Sequence, residues 1–114
     1  WEAECSTLDV NPDNEKKFTN PHFALALAAI ETHYFVNNLF IEENQILNNM
    51  KKIEHIPGVI IHGRYDMVCP LDNSYALSQV WPEAKLEIIR HAGHVAKEPA
   101  ITCALVQATN ELAS

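Results

Sequence analysis

Asp66 and His94 are the residues of this sequence best placed to do chemistry together. Asp66 closes the stretch Val59-Ile60-Ile61-His62-Gly63-Arg64-Tyr65-Asp66, and His94 closes Leu86-Glu87-Ile88-Ile89-Arg90-His91-Ala92-Gly93-His94. In each stretch an apolar run reaches a glycine and then hands over a polar side chain. A carboxylate beside an imidazole orients the ring and stabilises its protonated form, so the other ring nitrogen can take and return a nucleophile's proton. Taken singly, each residue reads more simply as a helix cap, Asp66 for a helix opening near Pro70 and His94 for one opening near Glu98-Pro99. The coincidence of both at strand ends, each beside a turn glycine, favours the pair.

For the two to meet, their apolar runs must be parallel strands joined by a helix, which places both C-terminal ends at one sheet edge. The intervening residues supply that helix. Pro70 can open it, Tyr75, Ala76, Leu77, Val80 and Trp81 give it apolar positions, and Pro82 stops it. Gly63 and Gly93 are expected to let the backbone turn sharply after each strand. A last helix starts at Glu98-Pro99, with Ile101, Leu105, Val106 and Leu112 on its apolar side. The order from residue 56 is strand, helix, strand, helix, a parallel crossover with a covering helix. Two parallel strands are too few for a free-standing sheet of this type. The fold class is therefore α/β, with residues 54–114 as the end of a larger core and residues 1–53 as a partial helical cap.

In that first half, Asn11-Pro12-Asp13-Asn14 reads as a turn, with a short helix before it. Asn20 caps a second helix with Pro21 at its first position. Its residues Phe23 to Ile30 are apolar nearly all round, which predicts a mostly buried helix. Glu31 follows, then His33-Tyr34-Phe35-Val36, and Asn37-Asn38 breaks it. Glu31 is either a solvated helix residue or an acid facing a pocket beside Tyr34 and Phe35. Ile46, Leu47, Met50 and Ile53 predict an amphipathic helix over residues 42–53.

Composition narrows the classes. The 114 residues are 47% hydrophobic and 20% charged, with a net charge of −7. That balance speaks against nucleic acid as partner, since phosphate needs clustered cations. No apolar run is long enough for a bilayer span, so no membrane partner is expected. Three cysteines, Cys5, Cys69 and Cys103, without CxxC spacing fit a reducing, cytoplasmic setting. The histidines fall in no metal-binding spacing, and neither a metal nor another cofactor is expected. The open strand edge invites pairing with a second copy.

The order Asp66 then His94 is that of α/β-hydrolases with the serine removed. No serine here sits in a G-x-S-x-G elbow, and no glycine-rich oxyanion loop is present. His62-Gly63-Arg64-Tyr65-Asp66, Cys69-Pro70, Trp81-Pro82-Glu83-Ala84, Ala92-Gly93-His94 and Glu98-Pro99 together closely resemble proline iminopeptidase, an α/β-hydrolase. Glu31-x-His33-Tyr34-Phe35 and Trp1-Glu2 look like cap motifs of the same family. The resemblance covers essentially the whole chain and corresponds to a C-terminal portion of such an enzyme. It implies a serine aminopeptidase acting on peptides with N-terminal proline. In that reading Asp66 is the triad acid and His94 the triad base. Glu2 and Glu31 grip the substrate's free amine, Phe35 lines the proline-ring pocket with Tyr34 nearby, and Cys69 lies near the site, where thiol reagents would act. The missing N-terminal part would have to supply the serine, so the chain alone is expected to be inactive. The alternatives are a segment of another α/β-hydrolase, an esterase or epoxide hydrolase, or a non-catalytic truncated domain.

Overall fold

The computed structural model describes residues 2–9 and 12–114, with the side chains of Glu2, Ala3 and Asn14 outside that description. The helical half runs α1 (Glu2–Cys5), α2 (Pro12–Thr19), α3 (Pro21–Val36), a 3-10 turn (Asn38–Phe40), α4 (Gln45–Asn48) and a second 3-10 turn (Met50–Lys52). The second half runs β1 (Gly58–Gly63), α5 (Leu71–Val80), β2 (Ala84–Ile89) and α6 (Pro99–Leu112).

The strands are parallel, in register from Gly58 opposite Ala84 to Gly63 opposite Ile89. The crossover through α5 is therefore as expected, and the strand ends that lead to Asp66 and His94 share one edge. Helix α5 packs on both strands and α6 on β1. Trp81, just past α5, returns to the start of β1. Its indole N–H donates to the Ile56 carbonyl at 2.9 Å, and its ring covers Gly58. The buried stripe of α6 is Ile101, Ala104 and Ala108, whereas Leu105, Val106 and Leu112 are exposed. Of the apolar side expected for this helix, Ile101 is buried as read, while Leu105, Val106 and Leu112 are replaced in the buried stripe by Ala104 and Ala108, whose small side chains let the helix approach its neighbour closely.

Three expectations for the first half also change. Pro12 does not sit in a turn but opens α2, where its missing N–H costs nothing. Asn20 does cap α3, its side-chain oxygen accepting from the N–H groups of His22 and Phe23. Yet α3 buries none of its residues, and Leu25 is 72% exposed. It packs mainly on α2, with Phe18 edge-on to Phe23 at 5.5 Å, and on the turn after it. An all-round apolar helix predicts burial only if something lies over it, and the described residues do not cover it. The helix expected over 42–53 is broken. Asn44 takes a left-handed conformation (φ 56°), and the Asn49 amide donates to the Gln45 carbonyl. Asparagine side chains compete with the helical ladder in this way. Met50 alone of the four apolar positions is buried.

Candidate functional site

Beyond β1 the chain makes a tight loop that folds back on the Asp66 side chain. One oxygen, Oδ1, accepts from the backbone N–H of Cys69 at 2.7 Å and of Val68 at 3.0 Å. The other, Oδ2, lies 2.9 Å from Nδ1 of His94. The side chain of Asp66 is only 7% exposed, while that of His94 is 40% exposed. With the carboxylate accepting, Nδ1 of His94 is the protonated nitrogen, and Nε2 carries the lone pair. Nε2 has no partner among the described residues. The helix-cap reading fails for His94, whose side chain is given to Asp66, and for Asp66, whose oxygens are taken by Val68, Cys69 and His94 and not by an N–H of α5.

Burial acts to raise the pKa of Asp66. The Cys69 N–H, the His94 side chain and its charge, and the Val68 N–H outweigh it, and the carboxyl sits below its ordinary value. Cys69 is shifted the other way, by partial burial and then by the Asp66 charge. A thiol pushed up is less often the reactive thiolate, so the microenvironment quiets Cys69 rather than activating it.

The two loops meet at Gly63 and Gly93. Neither has positive φ, so a left-handed turn is not what requires glycine there. Space is the reason. A Cβ on Gly63 would lie 1.9 Å from the Gly93 carbonyl oxygen and 2.7 Å from that of Ala92. Tyr65 N–H donates to the Ala92 carbonyl at 3.0 Å, tying the acid loop to the base loop.

His62, which the sequence presents only within the His62–Asp66 motif, completes the cluster. It is 10% exposed, with Nε2 3.1 Å from the Cys69 carbonyl and 3.7 Å from Asp66 Oδ2. The carbonyl can only accept, so Nε2 donates, and Nδ1 accepts from the Ser74 hydroxyl at 2.7 Å. The signal in the sequence was its position four residues before Asp66.

Glu31, Tyr34 and Phe35 lie on α3, not on the two loops of this cluster. Glu31 is half-buried in α3, with no hydrogen bond or ion pair to another described residue. Phe35 is exposed and lines an open cleft of about 760 Å³ with Asn38, Leu39, Ile41 and the Glu42–Asn44 turn. Tyr34 packs edge-on to Phe40 at 5.4 Å. Neither Glu31 nor Phe35 makes a hydrogen bond with Asp66 or His94. The Glu2 side chain lies outside the described residues.

These features define an α/β protein whose parallel strands deliver an acid–base pair to one edge. No family model matches the chain. It is, however, 54% identical over 111 residues to a proline iminopeptidase of Xylella fastidiosa (strain 9a5c), 49% over 114 residues to one of Xanthomonas citri, and 42% over 113 residues to one of Arabidopsis thaliana. The matches cover 96%, 99% and 98% of this chain. Along nearly its whole length the chain is similar to proline iminopeptidases and corresponds to a C-terminal portion of such a protein. It spans about a third of the length of these relatives, 36%, 36% and 30% respectively.

Proposed function

We propose that this chain is the C-terminal segment of a serine aminopeptidase with an α/β-hydrolase core, which releases N-terminal proline from peptides. The observation that carries the reading is the 2.9 Å pair of Asp66, its side chain 7% exposed, and exposed His94, with the His94 Nε2 unpartnered among the described residues. The relatives' names supply the substrate class. In this reading the rest of the polypeptide brings a serine to Nε2. That nitrogen takes the hydroxyl proton as oxygen attacks the scissile carbonyl, then returns it to the leaving amine. Asp66 stays ionised throughout, as its lowered pKa favours.

Glu2 and Glu31 offset the desolvation of the substrate's ammonium group. Phe35 offers a flat apolar wall to the pyrrolidine ring. Residues 1–53 act as a partial cap over the core formed by residues 54–114. The uncovered apolar surface of α3 supports a remainder of the polypeptide lying against it, since patches of this kind mark interfaces.

The test is complementation. The 114-residue chain alone should release nothing from a chromogenic proline substrate. Adding the N-terminal two-thirds of a relative should restore turnover, and His94→Ala should abolish it. Turnover by the chain alone, or complementation indifferent to His94→Ala, would overturn the reading.

A second, non-catalytic reading is favoured by one observation: each strand of the two-stranded sheet has an open edge. It requires concentration-dependent self-association in size-exclusion chromatography. A monomer at every concentration tested would remove it.

A further inference from the structure

We propose that Glu98 is the positioning residue of the His94 loop and that it works by clamping this loop to the N-terminal segment Ser6–Leu8; the catalytic part of this rests on the function proposed above. Glu98 is the residue before α6, yet its side chain makes no capping hydrogen bond to that helix. The carboxylate is turned to the loop instead. Its Oε1 accepts the Gly93 N–H at 2.8 Å, and its Oε2 accepts the Leu8 N–H at 3.2 Å. From the same segment, the Ser6 carbonyl accepts the N–H of His94 at 2.8 Å and of Val95 at 3.0 Å. Three successive donors of the base loop are thus held by one carboxylate and one carbonyl, and the carboxylate also holds the segment that bears the carbonyl.

The packing around Gly93 points independently to the same clamp. A Cβ there would lie 3.1 Å from Glu98 Oε1, 3.1 Å from Leu8 N and 3.2 Å from Ser6 O. The atoms that would crowd a side chain at Gly93 are those that form the clamp, so glycine is needed because the clamp closes on it. The His94 ring itself has a single hold, at Nδ1. A half-exposed ring with one hydrogen bond keeps its aim only if its backbone is fixed, and the clamp fixes the backbone on both sides of the ring. The segment it grips continues into α1, which carries Glu2. One carboxylate therefore registers the base against the segment bearing a proposed amine-binding acid.

Glu98→Ala and Glu98→Gln test this in two ways. In the complete protein carrying this segment, Glu98→Ala should speed amide hydrogen exchange at Leu8, Gly93, His94 and Val95 by about tenfold or more, while β1 and β2 keep their protection. In the same protein, it should lower kcat for a chromogenic proline substrate on the order of a hundredfold, with KM moving much less. Glu98→Gln keeps one acceptor oxygen and should recover part of both effects. Unchanged exchange at the four amides overturns the clamp, as does an equal loss of protection across both strands. Faster exchange with unchanged kcat overturns the positioning role. Should the unmutated complete protein release no proline, it is the proposed function that fails, and the exchange measurement still decides the clamp.

Discussion

Asp66 holds His94 with one carboxylate oxygen and its own loop with the other. Oδ2 lies 2.9 Å from His94 Nδ1, while Oδ1 takes the N–H groups of Cys69 and Val68. The acid is therefore fixed by its own chain segment, independently of the base. Asp66→Asn tests how far the pair depends on charge. The amide oxygen must face the Cys69 and Val68 donors, which turns its NH₂ toward His94 and favours the wrong tautomer. In the complemented protein, kcat should fall by roughly 10³–10⁴, the loss that an acid-to-amide change causes in a Ser-His-Asp site. Steady-state kinetics with the proline substrate would check it, and a loss below about tenfold would count against Asp66 as the triad acid.

The same carboxylate should make the fold acid-sensitive. Its pKa lies below the ordinary 3.8 in the folded chain. A depressed acid contributes stability that is fully present above its unfolded value and is lost as pH falls through the folded value. Urea midpoints should thus drop as pH goes below about 3.8, more steeply in the unmutated chain than in Asp66→Asn. Parallel acid limbs for the two proteins would show that Asp66 is not the group responsible.

Cys69 gives a prediction of opposite sign. Burial and the Asp66 charge raise its pKa, so iodoacetamide should label it at neutral pH more slowly than a small thiol of ordinary pKa. Removing the charge with Asp66→Asn should accelerate labelling. Peptide mapping by mass spectrometry separates Cys69 from Cys5 and Cys103. Faster labelling of Cys69 than of the reference thiol would contradict the assigned environment.

The parallel unit was legible because its signals are local: two apolar runs, a proline-bounded helix between them, and a glycine before each polar residue. Asp66 and His94 followed from topology alone. Three features were hidden for different physical reasons. The exposure of α3 depends on what covers a helix, which its own periodicity does not encode. The break over 42–53 comes from Asn44 and Asn49, whose side chains compete with a ladder that the spacing of Ile46, Leu47, Met50 and Ile53 otherwise favours. The clamp joins Glu98 to a backbone N–H ninety positions away and relies on the Ser6 carbonyl. Backbone groups are common to every residue and leave no pattern in a sequence. Gly63 is needed for space and not for a left-handed turn, since its φ is not positive.

That difference in cause is itself testable, through alanine at two glycines of β1. At Gly63 the new methyl would meet backbone, with carbonyl oxygens of Gly93 and Ala92 at 1.9 and 2.7 Å. Backbone on both sides cannot yield without parting the acid loop from the base loop. At Gly58 it would meet the Trp81 ring at 2.6 Å, and a ring can swing aside. Swinging gives up the 2.9 Å hydrogen bond from the indole N–H to Ile56, a loss of about 1 kcal/mol. Gly63→Ala should cost about 3 kcal/mol or more, the upper range for overpacking a tight site. It should also separate Asp66 from His94, because the Tyr65–Ala92 hydrogen bond lies on the same seam. Urea denaturation of both variants gives the ranking, and complementation activity gives the second readout. Gly58→Ala should retain most turnover while Gly63→Ala loses it. A Gly63→Ala protein as stable and as active as Gly58→Ala would mean that the two loops do not meet as described.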